Sequence, residues 1–235
     1  MSISENIAAI KKRIEAAAIA AGRDPSQIKL CAATKMNDSE AVREAVRAGV
    51  DLCGENRVQE LTQKLAENAY DGVPIHFIGQ LQTNKVKQVV GKVDLIQSVD
   101  SMRLLEAIDK EAAKQGIVQD ILLEVNIGEE ASKSGFRKED IPQIVENLPQ
   151  FPNVCLKGLM AIPPISQNSG DNRKFFQEMC NLSVDITAKK GDNVSMEILS
   201  MGMSDDFADA IACGSTMIRV GTAIFGPRNY TKSHP

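Results

Sequence analysis

Eight short β-rich runs alternate with amphipathic stretches along this chain, and that alternation restricts the fold more than any other feature. The runs are Lys29–Thr34, Asp51–Cys53, Ile75–Ile78, Leu95–Ser98, Ile121–Asn126, Leu156–Ala161, Glu197–Ser200 and Met217–Val220. Several are continuously apolar, as expected of strands covered on both faces; Asp51–Cys53 carries the weakest strand signal. The stretches between them have helix punctuation. Ser39 is placed to cap Glu40–Ala48 before Gly49, Ser101 to cap Met102–Gln115 before Gly116, and Ser204 to cap Asp205–Ala212 before Gly214. Asp171–Lys190 reads as a longer helix. Ile7, Ile10, Ile14 and Ala17 recur at helical spacing ahead of the first strand. Strands alternating with helices pair in parallel. Eight such units in 235 residues predict an α/β fold, a closed (β/α)8 TIM-type barrel with an additional N-terminal helix. The alternative is an open doubly wound sheet, whose dinucleotide-binding version usually carries Gly-x-Gly-x-x-Gly after the first strand; none is present. Pro163-Pro164 and Gln167–Asn172 read as one polar loop, and no linker divides the chain, so residues 1–235 are expected to form a single domain.

Composition narrows the partners. A net charge of -4 supplies no basic excess to neutralise phosphates, which argues against nucleic acid. The five cysteines, Cys31, Cys53, Cys155, Cys180 and Cys213, form no Cys-x-x-Cys pair and are odd in number, as in a cytoplasmic protein with reduced, mostly buried thiols. The only histidines, His76 and His234, are far apart in sequence, and no metal site is expected. Charged residues from Glu5 to Glu15 interrupt the N-terminal apolar positions, unlike a secretory signal. No run is long enough to cross a bilayer.

In a barrel the carboxyl ends of the strands share one mouth, where function resides. That geometry collects Lys35, Asn56, His76 with Gly79, Ser98, Asn126, Met160, Ser200–Ser204 and Arg219–Thr222. A desolvated lysine amine at the end of the first strand is a nucleophile suited to an aldehyde; otherwise its charge reaches water or a carboxylate. The loops after strands seven and eight often bind phosphate in barrels. Here they read Ser200-Met201-Gly202-Met203-Ser204 and Gly221-Thr222, residues that also serve ordinary turns and caps. Arg219 lies inside an apolar strand and needs a partner, either a carboxylate such as Glu124 or Glu197, or a ligand acceptor. Asn56 suits a helix cap or a ligand contact. A lone histidine such as His76 is more often structural than catalytic, and Lys133 and Lys138 read as solvated charges.

Several blocks are more specific: Thr34-Lys35; Gly54 to Glu60, read GENRVQE; His76 to Lys85, read HFIGQLQTNK; Ser132 to Gly135; Gly158 to Pro163; Ser200 to Asp206, read SMGMSDD; and Gly214 to Gly226. In this order they resemble the YggS/PROSC family of pyridoxal phosphate (PLP) homeostasis proteins over nearly the whole chain. The resemblance implies a barrel like the N-terminal domain of alanine racemase, with PLP held as an internal aldimine by Lys35. It also implies Arg219 facing the pyridine nitrogen, Asn56 beside the ring, and Ser200, Ser204, Gly221 and Thr222 around the phosphate.

PLP catalysis drains carbanion charge into a protonated ring, and a guanidinium cannot accept a proton, so Arg219 at the ring nitrogen would weaken that sink. Racemisation also needs acid and base groups on both faces of the substrate carbon. In alanine racemase the opposing tyrosine comes from a second domain at a dimer interface, and the sequence ends at Pro235 without one; its only tyrosines, Tyr70 and Tyr230, are poorly placed to replace it. The expectation is therefore a monomeric, cytoplasmic PLP carrier, with no catalytic residue, that buffers the cofactor or delivers it to apo PLP-dependent enzymes. The alternative is a weak PLP-dependent amino-acid racemase.

Overall fold

The computed structural model describes residues 1–130, 132–164, 170–187 and 191–226. Eight strands, β1 (Lys29–Ala33), β2 (Leu52–Glu55), β3 (Ile75–Phe77), β4 (Leu95–Val99), β5 (Gln119–Val125), β6 (Val154–Ala161), β7 (Val194–Ser200) and β8 (Met217–Val220), form a closed barrel in sequence order. Every pairing is parallel, including β1 with β8 over Lys29↔Met217 to Ala32↔Val220. The helices are α1 (Ile3–Ala20), α2 (Ser39–Arg47), α3 (Val58–Ala66), α4 (Met102–Gln115), α5 (Ile141–Asn147), α6 (Arg173–Thr187), α7 (Phe207–Ala212) and α8 (Thr222–Phe225). After β3 the crossover contains a 3-10 segment, Thr83–Gln88, rather than an α-helix.

The weak strand at Asp51–Cys53 is real but shifted, running to Glu55. Ser101 caps α4 as expected, accepting from the Leu104 N–H, and Gly116 ends the helix at φ 67°. Two expected caps differ. Asp38 caps α2, and the Ser39 hydroxyl turns instead to Glu67. Ser204 and Asp205 lie in a turn, and α7 starts at Phe207, because the Asp206 carboxylate accepts from the Met203 N–H at 2.7 Å and holds the chain non-helical there. The helix expected over Asp171–Lys190 runs from Arg173 to Thr187; its last three expected residues lie outside the described ones. In α1, Ile7, Ile10, Ile14 and Ala18 are buried, so Ala18 rather than Ala17 completes the stripe, which packs on α7 and α8.

Strand alternation divides the apolar residues into two sets. One side of each strand joins the large outer core under the helices, for instance Leu30, Ala32, Cys53, Ile121, Leu123, Ile218 and Val220. The other side fills the lumen with two small clusters that share Ile198: Cys31, Leu52 and Met217, and Leu95, Leu122 and Met160. Two residues further on, the lumen side becomes polar in four strands: Leu95 is followed by Gln97, Leu122 by Glu124, Ile198 by Ser200, and Met217 by Arg219. The same step takes Leu52 to Gly54 and Asn56, and Cys31 to Ala33 and Lys35. An apolar plug thus supports a polar layer at the carboxyl mouth.

Candidate functional site at the barrel mouth

Closure of β8 onto β1 brings together residues that are far apart in sequence. The site strands β7, β8, β1 and β2 are consecutive around the barrel, with Ala33 pairing Gly54 and Ala32 pairing Val220. Lys35 is half-buried two residues beyond Ala33, and Asn56 is half-buried just past β2. A Cβ on Gly221 would lie 3.4 Å from Ala33, so the loop after β8 runs beside the end of β1. Ser204 is half-buried, and Thr222 is exposed at the first residue of α8. Gly202, at φ 94°, lets the loop after β7 fold onto α7, where a Cβ would come within 2.6 Å of Ala210, and its carbonyl accepts from the Arg219 N–H at 3.0 Å.

Arg219 is buried and makes no ion pair with Glu124 or Glu197. Its guanidinium donates to Ser200 O at 2.8 Å, Ser200 Oγ at 2.5 Å and Ala161 O at 2.9 Å. These three bonds leave two of a guanidinium's five N–H donors without a partner among the described residues. Burial lowers the Arg219 pKa, opposed by Cys31, Glu124 and Asp206; a guanidinium nevertheless keeps its charge. Burial raises the Glu124 carboxyl, opposed by the hydrogen bond from Ser134.

From Arg219 a chain of hydrogen bonds crosses the lumen. The Ser200 hydroxyl, accepting from Arg219, donates to Gln97 Oε1 at 2.7 Å, and Gln97 Nε2 lies 2.8 Å from His76 Nδ1. With the amide as donor, the imidazole accepts at Nδ1 and is neutral, its proton on Nε2. Protonated His76 would place two donors against each other. Burial lowers its pKa to about 4, slightly opposed by Asp94. Because the folded pKa is below the unfolded 6.5, this contribution to stability is complete above pH 6.5 and lost as pH falls toward 4. The loss amounts to about 3 kcal/mol. Urea unfolding at pH 7 and pH 4.5 should therefore show a steeper acid loss for the native protein than for His76→Gln.

Asn56 is not a helix cap: Arg57 occupies that position, without a side-chain bond. Its backbone N–H donates to Glu55 Oε1 at 2.7 Å, while its buried side-chain Oδ1 has no partner among the described residues. Gly79 fits against this loop because a Cβ there would meet Asn56 O at 2.1 Å. Tyr70 is buried, its hydroxyl donating to Glu55 Oε2 at 3.3 Å, and burial beside that carboxylate raises its pKa. Tyr230 lies outside the described residues. Ser98 turns away from the lumen to donate to Gly79 O at 2.5 Å, and Asn126 holds its own loop through Glu130. Lys133, expected to be solvated, pairs with Glu130 at 2.5 Å and donates to Pro163 O at 3.0 Å. Lys138 pairs with Glu178 at 3.0 Å. All five thiols are free; Cys31 and Cys53 are buried and the other three half-buried. Among the described residues no cluster suits a metal, and no helix is long and apolar enough to cross a membrane.

The family model for the N-terminal domain of alanine racemase matches residues 3–229. The pyridoxal phosphate homeostasis protein of Aquifex aeolicus is 42% identical over 230 residues, covering 98% of this chain and 100% of that protein. The chain belongs to the pyridoxal phosphate homeostasis protein family. The Escherichia coli K12 member is 36% identical, with 98% of each chain covered. Among solved structures, PipY of Synechococcus elongatus with PLP bound is 31% identical with a TM-score of 0.82, over 96% of this chain and 100% of that one. Alanine racemase of Clostridium difficile, 15% identical with a TM-score of 0.74, shares the fold over 97% of this chain and 57% of its own.

Proposed function

We propose that this protein binds PLP at the barrel mouth, attaches it covalently through Lys35, and buffers or delivers it without turning over a substrate. The observation that carries the reading is the position of Lys35, just past the carboxyl end of β1, on the strand whose Cys31 pairs with Arg219 of β8, inside a barrel whose family relatives are named PLP homeostasis proteins. The PLP-bound PipY structure supports the choice of ligand. The unpartnered Asn56 Oδ1 and the two spare Arg219 donors are unmet hydrogen-bonding capacity of the kind a polar ring would use. Ser204, Gly221 and Thr222 surround the phosphate end in this reading, with Ser200 at the base of the same loop, its hydroxyl hydrogen given to Gln97. When bound, PLP supplies an aldehyde and an electron-withdrawing ring.

The chain's own groups favour holding over turnover. Arg219 can only donate at the ring nitrogen, so it stabilises the unprotonated ring. His76 is neutral and committed to Gln97, and Tyr70 is committed to Glu55. Neither is poised to pass a proton at the mouth. The deciding experiment loads the protein with PLP, removes free cofactor, and adds an apo PLP-dependent enzyme, with free PLP at matched concentration as reference. Recovery of the recipient's activity, with no racemised amino acid by chiral analysis, is the expected result. Lys35-dependent racemisation would replace the carrier reading with that of a weak racemase.

A further inference from the structure

A buried charge cluster sits directly behind the mouth. Lys64, on α3, pairs with Glu55 Oε2 at 2.6 Å and Glu60 Oε2 at 3.1 Å, and donates to the Thr34 carbonyl at 2.8 Å. Glu60 Oε2 accepts from the Met36 N–H at 2.7 Å. Glu55 accepts from the Thr34 hydroxyl at 3.0 Å and, through its other oxygen, from the Asn56 N–H at 2.7 Å. Both peptide units of Lys35 are thereby held, one at the Thr34 carbonyl and the other at the Met36 amide. The carboxylate that anchors this cluster also fixes the backbone of Asn56.

We infer that Lys64, Glu55 and Glu60 form a positioning device that presents Lys35 and Asn56 to PLP together. This rests on the proposed function and adds residues to it that touch neither cofactor nor substrate. Stability alone does not explain the cluster, since well-packed apolar residues often replace a buried ion pair without loss. What an apolar pair cannot do is satisfy the Met36 and Asn56 amides, or add a charged donor to the Thr34 carbonyl beside its bond from Asn37, where β1 and β2 give way to loops. Met36 makes the need acute: its φ of 61° is unfavourable for a side-chain-bearing residue, and the Glu60 bond holds it there.

The test compares the native protein with Glu60→Ala, Glu60→Gln and the double variant Glu55→Gln/Lys64→Met. Each is titrated with PLP, and the Lys35 adduct is trapped with borohydride and located by mass spectrometry. Thermal unfolding without PLP, and amide exchange at Met36 and Asn56, are measured in parallel. Glu60→Ala removes the acceptor of the Met36 N–H and one of the two carboxylate partners of Lys64. It should bind about tenfold more weakly, with faster exchange at Met36 and a modest change in melting, since Lys64 keeps Glu55 and the Thr34 carbonyl. Glu60→Gln keeps an acceptor oxygen and should recover most of the loss. The double variant should lose roughly ten- to a hundredfold, since the Thr34 carbonyl loses its charged donor and keeps only the longer bond from the Asn37 N–H at 3.2 Å. Native-like affinity and trapping in folded Glu60→Ala and in the double variant would overturn the inference while leaving PLP binding intact. Absence of trapping in the native protein would overturn the PLP reading, and the inference would fall with it.

Discussion

Lys35→Ala is expected to abolish covalent PLP retention completely: no absorbance band of lysine-bound cofactor, and no adduct after borohydride reduction and denaturation. The effect should be all or none because the other mouth-side amines are committed elsewhere. Lys64 is locked between Glu55 and Glu60, and Lys133 is held by Glu130 and the Pro163 carbonyl. Recruiting Lys64 would break a buried ion pair, and recruiting Lys133 a partly exposed one, both of which Lys35→Ala leaves untouched. Lys35 is half-buried, so its replacement removes little packing, and melting without PLP should barely change. PLP should still bind non-covalently and weakly through its phosphate end. A borohydride-stable adduct on another lysine of the folded variant would reassign the attachment point.

The barrel was legible because its strands are apolar on both faces and separated by strong stop signals such as Gly49 and Gly116. Boundaries erred where a side chain made a tertiary or local bond that sequence does not display, as when Asp206 accepted from Met203 and delayed α7. At the mouth, Lys35, Asn56 and Arg219 could be found because each stands where a strand ends or interrupts an apolar run. Arg219's partners could not: they are two backbone carbonyls and one hydroxyl, groups that leave no charge pattern. Gln97 carried a readable signal, a buried amide two residues after Leu95, but only the closed lumen shows that it links Ser200 to His76. The Glu55–Lys64 pair was the least visible. Lys64 lies on a helix beside Gln63 and reads as solvent-facing until α3 packs its amine beneath Thr34.

The same pair gives the largest expected change in stability. Lys64→Met alone should destabilise the protein by about 3–5 kcal/mol, because it strands the Glu55 carboxylate, which has no solvent exposure, and takes the charged donor from the Thr34 carbonyl. Adding Glu55→Gln removes the stranded charge while an amide oxygen can still accept from Asn56. The double variant should therefore regain most of the loss, making the two substitutions strongly non-additive. Urea denaturation of the native protein, both single variants and the double variant measures that coupling directly. Additive effects would mean that the two charges do not compensate each other. Recovery of stability in the double variant without recovery of PLP affinity is the combination expected of a pair that matters most for where it holds Lys35. An ion pair kept only for folding would restore both together once its charges were removed, since nothing at the mouth would then depend on which groups filled the space behind β1.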